Sequence, residues 1–162
     1  MITKSLYQEV ILDHNRNPRN YGSLDNANRS AEGHNPLCGD HLNIKINLSE
    51  NLIIDSITFQ GESCAICKAS ASMMTANVKG KTQADAETMI KEFRDMTVGK
   101  LEPDDHHHLG RLTVFVGVRD LPTRVKCAIL PWHTLQAALN SVTTISTEAD
   151  DDPMHVSIGN AS

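Results

Sequence analysis

Residues 41–74 read "HLNIKINLSENLIIDSITFQGESCAICKASASMM", and the spacing of their apolar residues changes once, near Ser63. From His41 to Leu48 the pattern alternates, with Leu42, Ile44, Ile46 and Leu48 on one face and polar side chains opposite. After a short turn at Ser49 to Asn51, "IIDSITFQG" offers Ile53, Ile57 and Phe59 as a second inner face. Alternation on both sides of a short turn predicts an antiparallel hairpin with one buried face. From Ser63 the alternation stops. "SCAICKASASMMTANVKG" is rich in Ala, Met and Ser and closes with Gly80, which predicts a helix and its terminator.

Outward from this centre, residues from Thr3 to about Asn15 have helical spacing, with Leu6, Val10 and His14 four apart and Tyr7 and Ile11 beside them. Pro18 and Gly22 end that helix. "NRSAEG", before Cys38, supplies a third strand. Thr82 caps a further helix through "ADAETMIKEFRDMT", whose inner stripe is Met89, Phe93 and Met96. "RVKCAILPWHTLQAALNSV" is a last helical region, interrupted or kinked at Pro131. "LTVFVGV", Leu112 to Val118, reads as a strand on β-branched content alone. A seven-residue apolar run does not decide between helix and strand, and this segment stays open. The end, residues 146–162, is acidic and poor in bulky apolar residues, and is expected to be a disordered tail.

The 162 residues fit one domain with a single core. A net charge of −5 argues against nucleic acid as a partner, because phosphate-backbone affinity needs a positive surface. Aromatic content of 4% leaves little for a base-stacking platform. "MITKSLYQEV" lacks the apolar stretch of a signal peptide, and no run approaches the ~20 apolar residues that cross a bilayer. The expectation is a cytoplasmic protein with no membrane partner. In a reducing compartment four cysteines read as ligands or reactive thiols before they read as a disulfide framework.

Three of the four thiols stand at boundaries. Cys38 lies in the Pro/Gly loop "NPLCGD" with Asp40 two residues on, Cys64 opens a helix after "GES", and Cys127 is near the start of the final helical region. Helix N-termini favour negative charge, so a thiol there ionises more readily. Three such sulfurs with the Asp40 oxygen match the donor count of tetrahedral zinc. Free cysteine also packs in cores, and Asp40 also suits the turn after Gly39. Spacing alone leaves both readings open. Cys64 and Cys67 form C-A-I-C, half of a zinc site or a redox pair, but no second CxxC follows. Cys67 is read as a core or near-site residue. His106 to His108 are read as a solvated loop, His34 and His41 as facing water, and His133 as packing.

Together, "NPLCGD", "GESCAICKASASMM" and "RVKCAILPWHTL" resemble the three cysteine motifs of the IscU/NifU-like iron–sulfur cluster assembly proteins, with the match closest to the SufU type. "LYQEVILDHNRNPRNYG" is similar to the opening helix and loop of that type. The resemblance implies an α+β fold, a small antiparallel sheet of about three strands packed against helices, with the metal at one exposed end. It implies a SufU/IscU-like domain over 1–145, carrying an insertion at about 99–121 that is largely helical in relatives. It further implies the metal ligands Cys38, Asp40, Cys64 and Cys127, with zinc as the metal or, alternatively, an iron–sulfur cluster.

Where IscU scaffolds carry a histidine before the third cysteine, this chain has Lys126, and "LPTRVKC" replaces their L-P-P-V-K stretch. An ammonium is a poor ligand for a cluster. The expectation is therefore a zinc-dependent acceptor of persulfide sulfur from a cysteine desulfurase of the SufS type, with Cys38 the acceptor and downstream cluster assembly proteins the recipients. A scaffold that builds a cluster, and a module with purely structural zinc, are the alternatives. The partner enzyme is expected to supply a replacement ligand, a histidine, that frees Cys38. Arg124 and Lys126 are placed to favour anionic sulfur or, equally, are solvated helix charges.

Overall fold

A computed structural model describes residues 4–140 together with the backbone of 144–146 and 157–158. The element order is α1 (Lys4–Arg16), β1 (Arg29–Asn35), β2 (Asp40–Leu48), β3 (Ile54–Glu62), α2 (Ala65–Val78), α3 (Gln83–Thr97), a 3₁₀ helix (Gly110–Val118), α4 (Pro122–Leu139), β4 (Thr144–Ser146) and β5 (Ser157–Ile158).

The expected hairpin is β2–β3, and "NRSAEG" falls in β1, which pairs antiparallel with β2 from Arg29↔Ile46 to Asn35↔Asp40. Leu42, Ile44, Ile46 and Leu48 are all buried, as the alternation predicts. On β3 the inner face differs from the expected one. Ile54 is buried in place of Ile53, because the register slips after Asn47↔Ser56 to Leu48↔Ile54. One extra residue in a strand inverts the side-chain parity beyond it. Two short pieces extend the sheet to the order β3-β2-β1-β4-β5, with β4 parallel to β1. These pieces carry Ser146 and Ser157–Ile158 of the segment read as a tail. The rest of 146–162 lies outside the described residues.

Helix α4 packs on β1 and β2, α2 packs on α4 and β3, and α1 and α3 pack on α2 and α4 respectively. Close approach at β1 depends on Gly33, where a Cβ would come to 2.1 Å from Thr134 Oγ1 of α4. Thr82 caps α3 as expected, its side chain accepting from the Asp85 N–H. Met89, Phe93 and Met96 are buried, and Phe93 stacks on Trp132 of α4 at 4.5 Å between ring centroids.

"LTVFVGV" belongs to a 3₁₀ helix, not to a strand. Three residues per turn align Leu112, Phe115 and Val118, and all three are buried. Phe115 meets Phe93 and Tyr7 edge-on. At the end of this helix Arg119 donates to the carbonyls of Met96 and Leu101 and pairs with Glu102. Helix α4 runs through Pro131 without interruption. Proline cannot donate to the carbonyl four residues before it, which here is that of Cys127.

Candidate metal centre

Loop, strand and helix ends bring the sulfurs together at one end of the sheet. Gly39, at φ +70°, turns the chain between Cys38 and Asp40 in a conformation that a residue with a Cβ rarely adopts. Asp40 is thereby the first residue of β2, 1% exposed, and its Oδ1 accepts the Cys64 N–H at 2.7 Å. Cys64 is the N-cap of α2, with its sulfur accepting from the Cys67 N–H at 3.4 Å. Helices α2 and α4 are locked in register behind the site. The Ser70 hydroxyl donates to the Ala128 carbonyl at 2.6 Å and accepts from the Trp132 indole N–H at 3.1 Å.

Potential ligand atoms of Cys38, Asp40 and Cys127 lie within 4.8 Å of one another. The Cys127 and Cys38 sulfurs are 3.0 Å apart. Cys64 Sγ lies 3.8 Å from Asp40 Oδ2 and is hydrogen-bonded to the Cys127 thiol. The structure thus groups Cys38, Asp40 and Cys127, with Cys64 outside that group but beside Asp40. Three sulfurs and one carboxylate oxygen suit a tetrahedral divalent ion that tolerates mixed soft and hard donors, the description of zinc.

The thiols are not equivalent. The hydrogen bond from Cys127 holds the Cys64 thiol down at about 7, with the Cys67 and Ile66 amides helping against burial. Cys127 lies in the second turn of α4, not at its start, and faces the Thr123 carbonyl. Its pKa is raised, first by that shared proton with Cys64 and then by burial. The helix-terminus argument therefore applies to Cys64 and fails for Cys127. Cys67 is fully buried, and burial pushes its thiol well up. Alkylation of the metal-free protein, followed by peptide mass mapping, is expected to label Cys64 with a rate that rises as pH passes through about 7. Cys67 is expected to stay unlabelled across that range.

Tyr7 and Asn35 belong to the site although their sequence context does not announce them. The Tyr7 hydroxyl is buried without a hydrogen-bond partner among the described residues. Burial raises its pKa, with nearby Arg124 opposing and Cys64 and Cys127 adding to the effect. Arg124 bonds the Cys127 thiol, and that bond raises its pKa. Asn35 is fully buried against Asp40 and Cys127. A tyrosine on a helix flank and an asparagine before proline look like ordinary helix and turn residues, so only the fold identifies them.

Among the described residues no histidine joins the group of Cys38, Asp40 and Cys127. His107 bonds the Pro103 carbonyl, His108 pairs with Glu92, and His34 and His41 stand across from each other on β1 and β2. His133 is buried in α4. Among the described residues no helix is long and apolar enough to cross a membrane.

The family model for the NifU-like N terminal domain matches residues 6–128. The chain belongs to this family. Among NifU-like relatives, the zinc-dependent sulfurtransferase SufU of Bacillus subtilis is 44% identical over 132 residues, which is 82% of this chain and 88% of the relative. The iron–sulfur cluster assembly scaffold protein IscU of Streptococcus pyogenes is 36% identical over 134 residues, 83% of this chain and 82% of that one. The crystal structure of FiSufU from Fervidobacterium islandicum superposes with a TM-score of 0.74 at 34% identity, over 81% of this chain and 94% of that one. The expected SufU-type resemblance and its α+β fold, a three-stranded antiparallel sheet with helices, are borne out.

Proposed function

We propose that this NifU-like protein is a zinc-dependent acceptor of persulfide sulfur, taking it from a SufS-type cysteine desulfurase in the cytosol and handing it on for iron–sulfur cluster biogenesis. The observation that carries the reading is the grouping of Cys38, Asp40 and Cys127 with Cys64 beside Asp40, and the place of Cys38 in the Pro36–Gly39 loop. The named activity of the Bacillus subtilis relative supports it.

In this reading the four side chains hold the ion, which when bound keeps the thiols deprotonated at neutral pH and fixes the site. Cys64 and Cys127 sit on helices tied together through Ser70, so they stay in place. Cys38 has the freedom of the Pro36–Gly39 loop. Once released, its thiolate attacks the outer sulfur of the desulfurase persulfide. A new S–S bond forms on Cys38, the enzyme's S–S bond breaks, and the enzyme cysteine leaves as a thiolate. Arg124 at the Cys127 sulfur offsets the negative charge gathered there. Exposed Leu37, next to Cys38, gives the partner an apolar contact at the point of transfer.

Iron–sulfur scaffolding uses the same donor set and is the activity named for the Streptococcus relative. Lys126 in the place of a scaffold histidine favours the acceptor. The test is desulfurase turnover with and without this protein, alongside metal analysis of the untreated protein. Zinc at one ion per chain and faster turnover only with the loaded form are expected. Indifferent turnover would overturn the acceptor reading, and a cluster that forms anaerobically and transfers to an apo-protein would favour the scaffold.

A further inference from the structure

Asn35 closes β1, in register with Asp40 across the strand pair. It is fully buried, and its Nδ2 reaches two members of the donor set at once, Asp40 Oδ2 at 3.5 Å and Cys127 Sγ at 3.6 Å. A carboxylate that ligates a metal accepts, and the amide accordingly presents its Nδ2 to Asp40 and Cys127. Oδ1, at the other end, is buried with no hydrogen-bond partner among the described residues. An unsatisfied buried oxygen is unfavourable. A side chain kept here for packing alone would be better apolar. Among the described residues the same amide makes no hydrogen bond to Cys38 or Cys64.

We propose that Asn35 is a positioning residue that ties Asp40 and Cys127 together as permanent ligands, so that Cys38 is the thiol that leaves to take up sulfur. The inference rests on the zinc reading above. An N–H donated to a thiolate occupies one of its lone pairs and lowers its reactivity toward electrophiles, while orienting it toward the metal. One planar group on β1 thus couples the first residue of β2 to the second turn of α4. The donor pair is held while the loop cysteine next to it is not.

Two measurements decide it. In unaltered, nitrogen-labelled protein loaded with an NMR-active cadmium isotope, a through-hydrogen-bond correlation between the Asn35 side-chain amide proton and the metal is expected, passing through the Cys127 sulfur. In zinc-loaded protein treated with iodoacetamide, Cys38 is expected to react first. In Asn35→Leu, which keeps the branching and removes the donor, Cys127 alkylation relative to Cys38 is expected to rise about tenfold, the scale of one hydrogen bond to a charged group. A missing amide–cadmium correlation, or an unchanged order of alkylation in Asn35→Leu that still binds zinc, would overturn the assignment and leave the zinc site standing. Zinc that protects none of the three cysteines in unaltered protein would overturn the zinc reading, and this inference with it. Should Asn35→Leu not fold, the cadmium spectrum of the unaltered protein decides.

Discussion

Cys38→Ala is expected to abolish sulfur acceptance, with a fall of about a thousandfold or more, because Cys38 is the half-buried thiol of the Pro36–Gly39 loop and the other three are held by α2 and α4. Cys64 is fixed as the cap of α2, Cys127 is buried in α4, and Cys67 lies in the core. Removing a half-buried loop thiol is expected to change folding stability by less than about 1 kcal/mol. Zinc binding should weaken and still be measurable through Asp40, Cys64 and Cys127. The check is persulfide transfer from a loaded desulfurase, read as the mass gain of one sulfur atom on this protein, with zinc content measured on the same sample. Full acceptance by the variant would move the acceptor role to another cysteine.

Asp40→Ala is expected to cause the largest change in the metal site that leaves every thiol in place. Asp40 is 1% exposed and does two things: it offers an oxygen to the donor set and receives the Cys64 amide at 2.7 Å. Its removal leaves that amide without its acceptor and takes from the Asn35 Nδ2 one of its two, which costs about 1–3 kcal/mol for a buried donor. Zinc affinity should fall by at least about tenfold to a hundredfold, the size seen when even an outer-shell partner is lost. Asp40→Asn keeps an acceptor for Cys64 and should retain most of the stability while losing affinity. Competition with a chromophoric chelator separates the two variants. Unchanged affinity in both would remove Asp40 from the ligand set, and a stable brown protein from Asp40→Ala would favour the scaffold.

Much of this was legible in the residues. Strict alternation over Leu42 to Leu48 gave β2, and Thr82 followed by Asp85 gave the start of α3. What alternation cannot see is a single extra residue, and that is why Ile54 rather than Ile53 faces the core. "LTVFVGV" misleads on composition because its β-branched residues favour strands in general. Here Phe93, Tyr7 and the Arg119 hydrogen bonds select the tighter helix. Pro131 predicts an interruption or a kink in α4, and no interruption occurs. The helix continues because its packing on β1, α2 and α3 outweighs one missing hydrogen bond.

The candidate site divides in the same way. Motif resemblance picked out Cys38, Asp40, Cys64 and Cys127; the fold groups Cys38, Asp40 and Cys127 and sets Cys64 beside Asp40, whereas spacing alone had left them open to ordinary burial. Cys127 does lie near the start of the final helix, but in its second turn, past the free amides of the terminus, and its thiol is harder to ionise. Asn35 and Tyr7 carried no signal of their own, since what they do depends on partners 92 residues away for Asn35 and on α2 and α4 for Tyr7.

Zinc-edge X-ray absorption on protein purified without added metal tests the central claim most directly. Three sulfurs at about 2.3 Å and one oxygen at about 2.0–2.2 Å around one zinc per chain are predicted. A first shell of oxygen and nitrogen alone, or protein that carries no zinc and takes none up, would contradict it.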